Sequence, residues 1–198
     1  MSGPTRGARV LRETAETRVE VELELEGQGA ARVATGLGFL DHMLAQLARH
    51  GGWNLALQCR GDLEVDDHHS VEDCALALGE ALDAALGERR DIERFGEAHA
   101  PLDEALARCV VDVSSRPWAE VSFAFRRERL GSVATENLTH FVRSLAQAAR
   151  LCVHLDVLRG ENDHHKAEAG FKSLALALRR ALAPRAGVGV PSTKEVLA

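Results

Sequence analysis

Two stretches of the chain decide its fold, namely DDHHSVEDCALALGEAL at Asp66–Leu82 and ENDHHKAEAGFKSLALALR at Glu161–Arg179. Each contains an acidic residue followed by two histidines, and a glutamate lies four residues after the first histidine. A segment that occurs twice with the same offsets indicates an internal duplication. The matching residues are Asp67-His68-His69 with Glu72, and Asp163-His164-His165 with Glu168.

The duplication extends upstream of both stretches. GFLDHML places His42 on a predicted helix, and ENLTHF places His140 on another. Strand-like runs precede them at 19–25 and 119–125, and the first alternates Val or Leu with Glu, as a strand with one wet face does. We therefore predict an α+β fold in which residues 1–198 form one domain that consists of an internally duplicated unit. Its two pseudo-symmetric halves, at about 9–90 and 94–184, each have a small β-sheet plus two helices.

Apolar residues at helical spacing predict these helices. In the first half the apolar stripes run through residues 40–47 and 71–85, and in the second half through 138–145 and 167–182. The two His-His helices have suitable N-caps in Asp66 or Asp67, and in Asn162 or Asp163. Asp103 and Glu104 are expected on the polar face of a short helical turn. Residues 184–198 hold Gly and Pro without a stripe, which predicts a tail or an extended arm.

Composition narrows the class of protein. The 198 residues carry 24 basic and 30 acidic side chains, a net charge of −6, which argues against nucleic acid as a partner. The segment 1–18 is polar, and no apolar run approaches the length of a membrane span, so we expect a cytoplasmic chain with no membrane partner. The four cysteines lie far apart without a C-x-x-C pair, which predicts reduced and mostly buried thiols.

Six of the nine histidines occupy the repeated positions and predict a metal site. Neutral imidazole is a common ligand of transition metals, and carboxylate extends the choice toward manganese. His68 and His69 diverge by about 100° around a helix, so such neighbours suit two ions better than one. Six histidines with Glu72 and Glu168 supply eight ligands, or four for each of two ions. Octahedral ions would keep two open positions each, as a catalytic site requires.

A simpler interpretation applies to a single His-His pair, which is more often a surface feature or a helix end than a ligand pair. The second copy favours metal binding, because four unpaired polar groups per half would be costly if they were buried. His99 and His154 lie outside the repeat and are expected to be ordinary core or surface residues. Cys74 is expected to pack in the core.

The motifs together resemble those of the imidazoleglycerol-phosphate dehydratase family, in the same order from about Val10 to the C-terminus. They are GFLDHMLAQLARHG (38–51), DDHHSVEDCALALGEAL (66–82), RFGEAHAPLDEALARCVVDVSSRPW (94–118), ENDHHKAEAGFKSLALALR (161–179) and PSTKEVL (191–197). The doubled DHH segments are the most specific of these. Gly38, Ser115 and Glu195 replace the residues usual in the family, and none is a proposed ligand. The sequence lacks the phosphatase domain of some relatives, so only the dehydratase is expected.

The resemblance implies metal-dependent dehydration of D-erythro-imidazole glycerol phosphate to imidazole acetol phosphate, the sixth step of L-histidine biosynthesis, through a metal-stabilised imidazolate. It implies a ribosomal S5 domain 2-like fold and two Mn²⁺ ions per active site. It also implies self-association into a large homo-oligomer of twenty-four subunits, with active sites at subunit interfaces and a small phosphorylated imidazole as substrate.

The resemblance also assigns roles to single residues. The metal ligands are His42, His68, His69, Glu72, His140, His164, His165 and Glu168. Glu16, Glu72 and Glu168 are catalytic, and Glu16 is the candidate general acid/base. Substrate binding falls to Glu16, His42, His50, His68, His69, Arg94, Arg116, His164, Lys172, Ser192, Thr193 and Lys194, and the arm at 185–198 is expected to contact substrate. The pairing of ligands with ions, the native metal and closure of the arm over substrate stay open.

Two other functions fit part of the pattern. A di-metal hydrolase would use bridged water on a phosphoester, but it predicts an Asp-rich ligand set, and here histidine dominates. A metal-assembled shell or storage protein would need the ions only to hold subunits together. Such a shell has no need for Arg94, Arg116 and Lys194 to converge on an anion.

Overall fold

The computed structural model describes residues 6–194 and residue 197, so residues 195, 196 and 198 of the predicted arm lie outside the described residues. The first half contains β1 (Gly7–Glu13), β2 (Thr17–Glu24), β3 (Ala31–Ala34), α1 (Gly38–Gly51), β4 (Asn54–Gly61) and α2 (His68–Leu86). The second half contains β5 (Phe95–Leu102), β6 (Ala105–Asp112), β7 (Trp118–Ser122), β8 (Arg129–Leu130), β9 (Val133–Ala134), α3 (Thr135–Ala148), β10 (Cys152–Arg159) and α4 (Asp163–Ala181).

The two halves have the same topology, which confirms the predicted duplicated α+β unit. The first sheet has the strand order β1-β2-β4-β3 and the second has β5-β6-β10-β7, so each strand of one has a counterpart in the other. In the first sheet β4 pairs antiparallel with β2 and parallel with β3. In the second sheet β10 likewise pairs antiparallel with β6 and parallel with β7. The second half differs by the short hairpin β8–β9, which is inserted before α3.

The strands and helices form where the apolar pattern predicts them. Val19, Val21 and Leu23 of β2 are buried while the glutamates between them face outward, as period-two alternation requires. The helix α1 ends in a left-handed residue, Gly52, with φ +77°, a conformation that glycine adopts without a steric penalty. The predicted strand at 119–125 is shorter in the structure, because β7 ends at Ser122.

The helices of the two halves pack on each other at the centre of the molecule, α1 against α4 and α2 against α3. On their other sides α2 contacts β1 and β2, and α4 contacts β5 and β6. The main apolar cluster therefore joins both halves and includes Leu44, Leu78, Phe141 and Leu174, all fully buried. This central packing brings histidines of one half next to those of the other. Three cysteines are buried and Cys152 is half-buried, and all four thiols are free, as predicted.

The start of each His-His helix is anchored by a buried aspartate. Asp163 accepts hydrogen bonds from the backbone N–H groups of Arg126 and Arg127 at 2.7 Å, and from the ammonium of Lys166 at 2.8 Å. Asp67, at the equivalent position, accepts from the backbone of Ala134 at 2.8 Å. Both carboxylates thus bind the segment that precedes α3. The side-chain caps come from the residues before them, since Asp66 and Asn162 accept the backbone N–H groups of the first histidines.

None of the helices in the described part of the chain is both long and apolar enough to cross a membrane. The segment after α4 contains neither helix nor strand within 185–194. Its backbone is tied to the preceding loop, because Arg185 donates to the carbonyl of Asp91 at 2.7 Å and Asp91 donates to that of Gly189 at 2.8 Å.

The ion pair Asp163–Lys166 gives a stability prediction. Both residues are at most 3% exposed, so Asp163→Asn leaves an ammonium buried without its counter-charge. We expect the free energy of unfolding to fall by about 3 kcal/mol or more. The matched control is Asp156→Asn, because the pair Arg108–Asp156 has the same 2.8 Å separation but exposed side chains, and we expect a loss of less than about 1 kcal/mol.

Urea unfolding of the chelator-treated variants measures both changes, and equal losses in the two variants would contradict the buried pair's role. Burial alone would raise the pKa of Asp163, but the bonds from Lys166, Arg127 and Arg126 lower it. The contribution of Asp163 is therefore complete above the ordinary carboxyl pKa and is lost as the pH falls through the lowered value.

Candidate metal centres

The first candidate centre combines one residue of α1 with two of α4. His164 and Glu168 are four residues apart and share a face of α4, and the packing of α1 on α4 adds His42. The Nε2 atoms of His42 and His164 both lie 3.0 Å from Oε1 of Glu168. We call His42, His164 and Glu168 the His42 triad.

The second candidate centre repeats this arrangement with the halves exchanged. His68 and Glu72 share a face of α2, and α3 adds His140, whose Nε2 lies 2.8 Å from Oε1 of Glu72. Nε2 of His68 lies 3.9 Å from Oε2 of Glu72, and the imidazole rings of His68 and His140 stack with centroids 5.0 Å apart. We call His68, Glu72 and His140 the His68 triad.

Both triads fit a divalent transition-metal ion. In each, one ligand atom per residue lies within 4.8 Å of the other two, and all three residues are half-buried or better. Two imidazole nitrogens with one carboxylate oxygen is a donor set that suits manganese, iron, cobalt or zinc, and on one face of an octahedral ion it leaves three positions open. Six of the eight predicted ligands are thereby brought together, three in each triad.

The other two predicted ligands, His69 and His165, lie outside the triads. Nδ1 of His69 is 3.0 Å from Oδ2 of Asp62, and Nδ1 of His165 is 2.7 Å from Oε2 of Glu104. These hydrogen bonds raise the pKa of both imidazoles, and they orient each Nδ1 toward its carboxylate and each Nε2 away from it.

The predicted helical turn at Asp103 and Glu104 is wrong. These residues form the tight turn between the paired strands β5 and β6, with Asp103 at φ +46°. The turn directs Glu104 toward α4, where it also accepts the backbone N–H groups of Glu161 and Asn162. The hydrogen bond from the backbone N–H of Asn162, then the one from the imidazole of His165, lower the pKa of Glu104 to about 2.

Glu168 has polar neighbours beyond its own triad. Oε2 lies 2.7 Å from the ammonium of Lys172 and 3.1 Å from Nε2 of Gln46. Burial would raise the pKa of Glu168, but the hydrogen bonds from Lys172, His42 and His164 lower it to about 2. Nε2 of His50 lies 2.8 Å from Oε1 of Gln46, which connects this predicted substrate residue to the His42 triad. Burial, then the charges of Lys172 and Arg49, lower the pKa of His50.

Glu16 lies in the turn between β1 and β2 with an exposed side chain. Its Oε2 is 3.7 Å from Nε2 of His69, so the candidate general acid/base stands beside a predicted ligand. The turn is fixed by Thr14 Oγ1, which accepts the backbone N–H of Glu16, and by Thr17, which donates to the buried Asp73 of α2 at 2.5 Å. The hydrogen bond from Thr17 to Asp73 thereby connects the start of β2 to α2 next to Glu72.

The predicted phosphate residues lie in three places. Lys172 belongs to the surroundings of Glu168, as described above. Arg94 pairs with Asp112 at 2.8 Å, lies over the ring of Phe95, and donates to the carbonyl of Pro191 at 2.8 Å. It therefore holds the arm that carries Ser192, Thr193 and Lys194, of which the last two are exposed. Arg116 is exposed on the loop before β7, where its backbone N–H donates to Ser114.

Sequence reasoning assigned no orienting role to the residues that hold the predicted ligands or their hydrogen-bond partners, namely Gln46, Asp62, Asp67, Glu104 and Asn137. The sequence gives a weak indication of the role of Gln46, since this residue lies four residues from both His42 and His50 on the same helix. The sequence gives no such indication for Asn137 or Glu104, because Asn137 is 69 residues from His68 and Glu104 is 61 residues from His165.

Comparison with known proteins gives consistent results. The sequence profile described as imidazoleglycerol-phosphate dehydratase matches residues 35–178. The curated protein of that name from Candida glabrata is 50% identical over 207 residues, which covers 96% of this chain and 99% of that protein. The one from Phytophthora nicotianae is 54% identical over 193 residues, and this chain covers 43% of its length.

Solved structures match as well. The imidazoleglycerol-phosphate dehydratase of Staphylococcus aureus superimposes with a TM-score of 0.80 and 34% identity, covering 89% of this chain and 98% of that one. The Pyrococcus furiosus structure gives a TM-score of 0.82 and 38% identity over 95% of this chain and 100% of that one. The chain therefore belongs to the imidazoleglycerol-phosphate dehydratase family and is an enzyme of that family.

Proposed function

We propose that this chain, a dehydratase of L-histidine biosynthesis by its family, uses two divalent ions per active site, manganese in the cell, to convert D-erythro-imidazole glycerol phosphate into imidazole acetol phosphate. The observation that carries the metal role is the pair of triads with identical donor sets on equivalent helices. We also propose a cytoplasmic location without a nucleic acid or membrane partner. The net charge of −6 does not favour binding to anionic nucleic acid or lipid, and the role of the family is biosynthetic.

Ions bound at the triads would supply Lewis-acid stabilisation of an imidazolate form of the substrate ring and would orient the substrate hydroxyls. The chain's own residues then have distinct tasks. Glu168 holds the imidazoles of His42 and His164 through hydrogen bonds of 3.0 Å. Glu72 holds that of His140 through one of 2.8 Å and lies 3.9 Å from Nε2 of His68. A substrate carbon next to no carbonyl must lose a proton, so a positioned base is needed.

Glu16 is the residue we assign to this proton transfer. Its carboxylate is exposed, lies on a turn that is fixed to α2, and places Oε2 3.7 Å from Nε2 of His69. Glu16 therefore lies beside a predicted ligand and is not itself a member of a triad. Oε2 of Glu16 would accept the proton from the substrate carbon, and a proton must reach the departing hydroxyl so that water leaves.

The phosphate group of the substrate needs cationic and hydroxyl donors. We assign this task to Arg94, Arg116, Lys172, Ser192, Thr193 and Lys194. Arg94 supports the assignment because it already binds the arm through the carbonyl of Pro191. Lys172 supports it because its ammonium stands beside the His42 triad, 2.7 Å from Glu168. His50 and Gln46 line the same side of that triad.

A second copy of the chain is the proposed source of the missing ligands. Each triad supplies three ligands, whereas the sequence pattern provides four per ion. His69 and His165 are the two that remain, and each has a carboxylate at Nδ1, the usual arrangement of a metal-binding imidazole. We propose that their Nε2 atoms complete triads of neighbouring subunits, so that active sites form at interfaces of a homo-oligomer of twenty-four subunits.

The first prediction concerns removal of metal. The purified protein is treated with chelator and assayed for imidazole acetol phosphate, before and after Mn²⁺ is restored. We expect turnover to vanish with the chelator and to return with Mn²⁺, because the triads lose their bound Lewis acid. No turnover by the fully loaded, assembled protein would contradict the proposed function.

The second prediction separates the enzyme from a shell that uses metal only for assembly. Arg116→Ala removes one phosphate donor, so we expect KM to rise about tenfold or more while metal content and oligomer mass stay unchanged. Arg108→Ala, on the outer face of β6, is the matched control and should leave KM unchanged. An Arg116→Ala enzyme with the parent KM would refute the phosphate assignment.

The third prediction tests whether subunits share ligands. A double variant, His69→Ala with His165→Ala, lacks the donated imidazoles, and a second, Glu72→Gln with Glu168→Gln, lacks functional triads. Each alone should lose activity by about 100-fold or more. Co-expressed with different tags and purified as mixed oligomers, they should regain part of it, because intact triads meet intact donors. Mixed oligomers with no more activity than the separate variants would count against shared sites.

A further inference from the structure

The two triads have the same ligands but different surroundings. At the His68 triad, Nδ1 of His68 lies 3.1 Å from Oδ1 of Asn137. The amide of Asn137 donates to Oδ2 of Asp67 at 2.9 Å, and both residues are nearly fully buried. The same Oδ2 accepts the backbone N–H of Ala134, so the carboxylate acts there as an acceptor.

This chain of hydrogen bonds determines the tautomer of His68. Because Asp67 accepts, the amide nitrogen of Asn137 must face it and the amide oxygen must face His68. Nδ1 of His68 then carries the proton, and Nε2 presents its lone pair toward Glu72 and His140. The imidazole is thus oriented for a cation before any cation arrives.

The His42 triad has no such support at the equivalent place. Phe39 stands three residues before His42, as Asn137 stands three before His140. Its ring meets that of His164 edge-on with centroids 5.2 Å apart, and an aromatic ring offers no hydrogen-bond acceptor in its plane.

The carboxylates of the two triads also differ. Glu168 has Lys172 four residues later, and its ammonium lies 2.7 Å from Oε2. Glu72 has Leu76 at the equivalent position, which places an apolar side chain there. A cation that binds Glu168 must therefore displace or repel an ammonium, whereas one that binds Glu72 meets no such charge at that position.

We propose that the two triads bind divalent cations unequally, so that the His68 triad fills first and holds its ion more tightly, with Asn137 as its positioning residue and Lys172 as the group that weakens the His42 triad. The inference rests on the proposed metal role. It makes the ion at the His42 triad the exchangeable one, and removal of Lys172 from Glu168 by an anionic substrate would strengthen that ion's binding.

The test is a titration of the chelator-treated full-length protein with Mn²⁺ and no substrate, followed by calorimetry and by the electron paramagnetic resonance signal of free Mn²⁺. Light scattering at each step reports the oligomer mass. We expect two phases with about one ion per chain in each and affinities that differ by tenfold or more. Two equal sites would overturn the inference and leave the metal role intact, and no binding at all would overturn both.

Three variants assign the phases. Asn137→Leu keeps the size of the side chain but removes the acceptor, so the tight phase should weaken by about tenfold or more while the weak phase stays unchanged. Lys172→Leu should strengthen the weak phase by about tenfold, and Leu76→Lys, at a half-buried position, should weaken the tight phase by a similar factor.

The unchanged phase in each variant serves as an internal control for folding, since a merely structural defect would weaken both. The inference is overturned if Asn137→Leu weakens both phases equally, or if Lys172→Leu leaves both affinities at their parent values.

Discussion

The packing of each half's helices on those of the other half is the constraint on which the rest of the structure depends. Neither half contains a complete triad, because His42 of the first half joins His164 and Glu168 of the second, and His140 of the second joins His68 and Glu72 of the first. The contacts between α1 and α4 and between α2 and α3 therefore build both the hydrophobic core and the candidate metal centres. A change that shifts either helix pair alters both.

Four carboxylates fix the positions of the predicted ligands within this packing. Asp67 and Asp163 occupy equivalent positions, and each fixes the segment before α3 to the start of a His-His helix. Asp62 and Glu104, on the loops beside these helices, orient His69 and His165. The ligand helices are thus held at their first turns, where the histidines lie, and a small error in helix rotation there would move a ligand atom out of reach.

The duplicated fold was predictable from the sequence, whereas the grouping of the candidate ligands into two triads was not. Period-two and helical patterns lie within single segments, so β2 and the four helices were predictable from local residues. The pairing of His42 with Glu168 crosses 126 residues and depends on which helices pack, which no local pattern encodes. The role of Glu104 was missed for a related reason, because a tight turn with positive φ at Asp103 has the same polar composition as a helical turn.

The long separation of the ligands has a consequence for synthesis on the ribosome, where the N-terminal part of a chain emerges first. A nascent chain that ends before residue 140 carries His68 and Glu72 without their third partner, and one that ends before residue 164 has only His42 of the other triad. Contacts of this range form late, after the loops between them have closed. The incomplete chain thus presents only partial sets of the predicted ligands, so uptake of the two proposed ions would follow completion of the polypeptide.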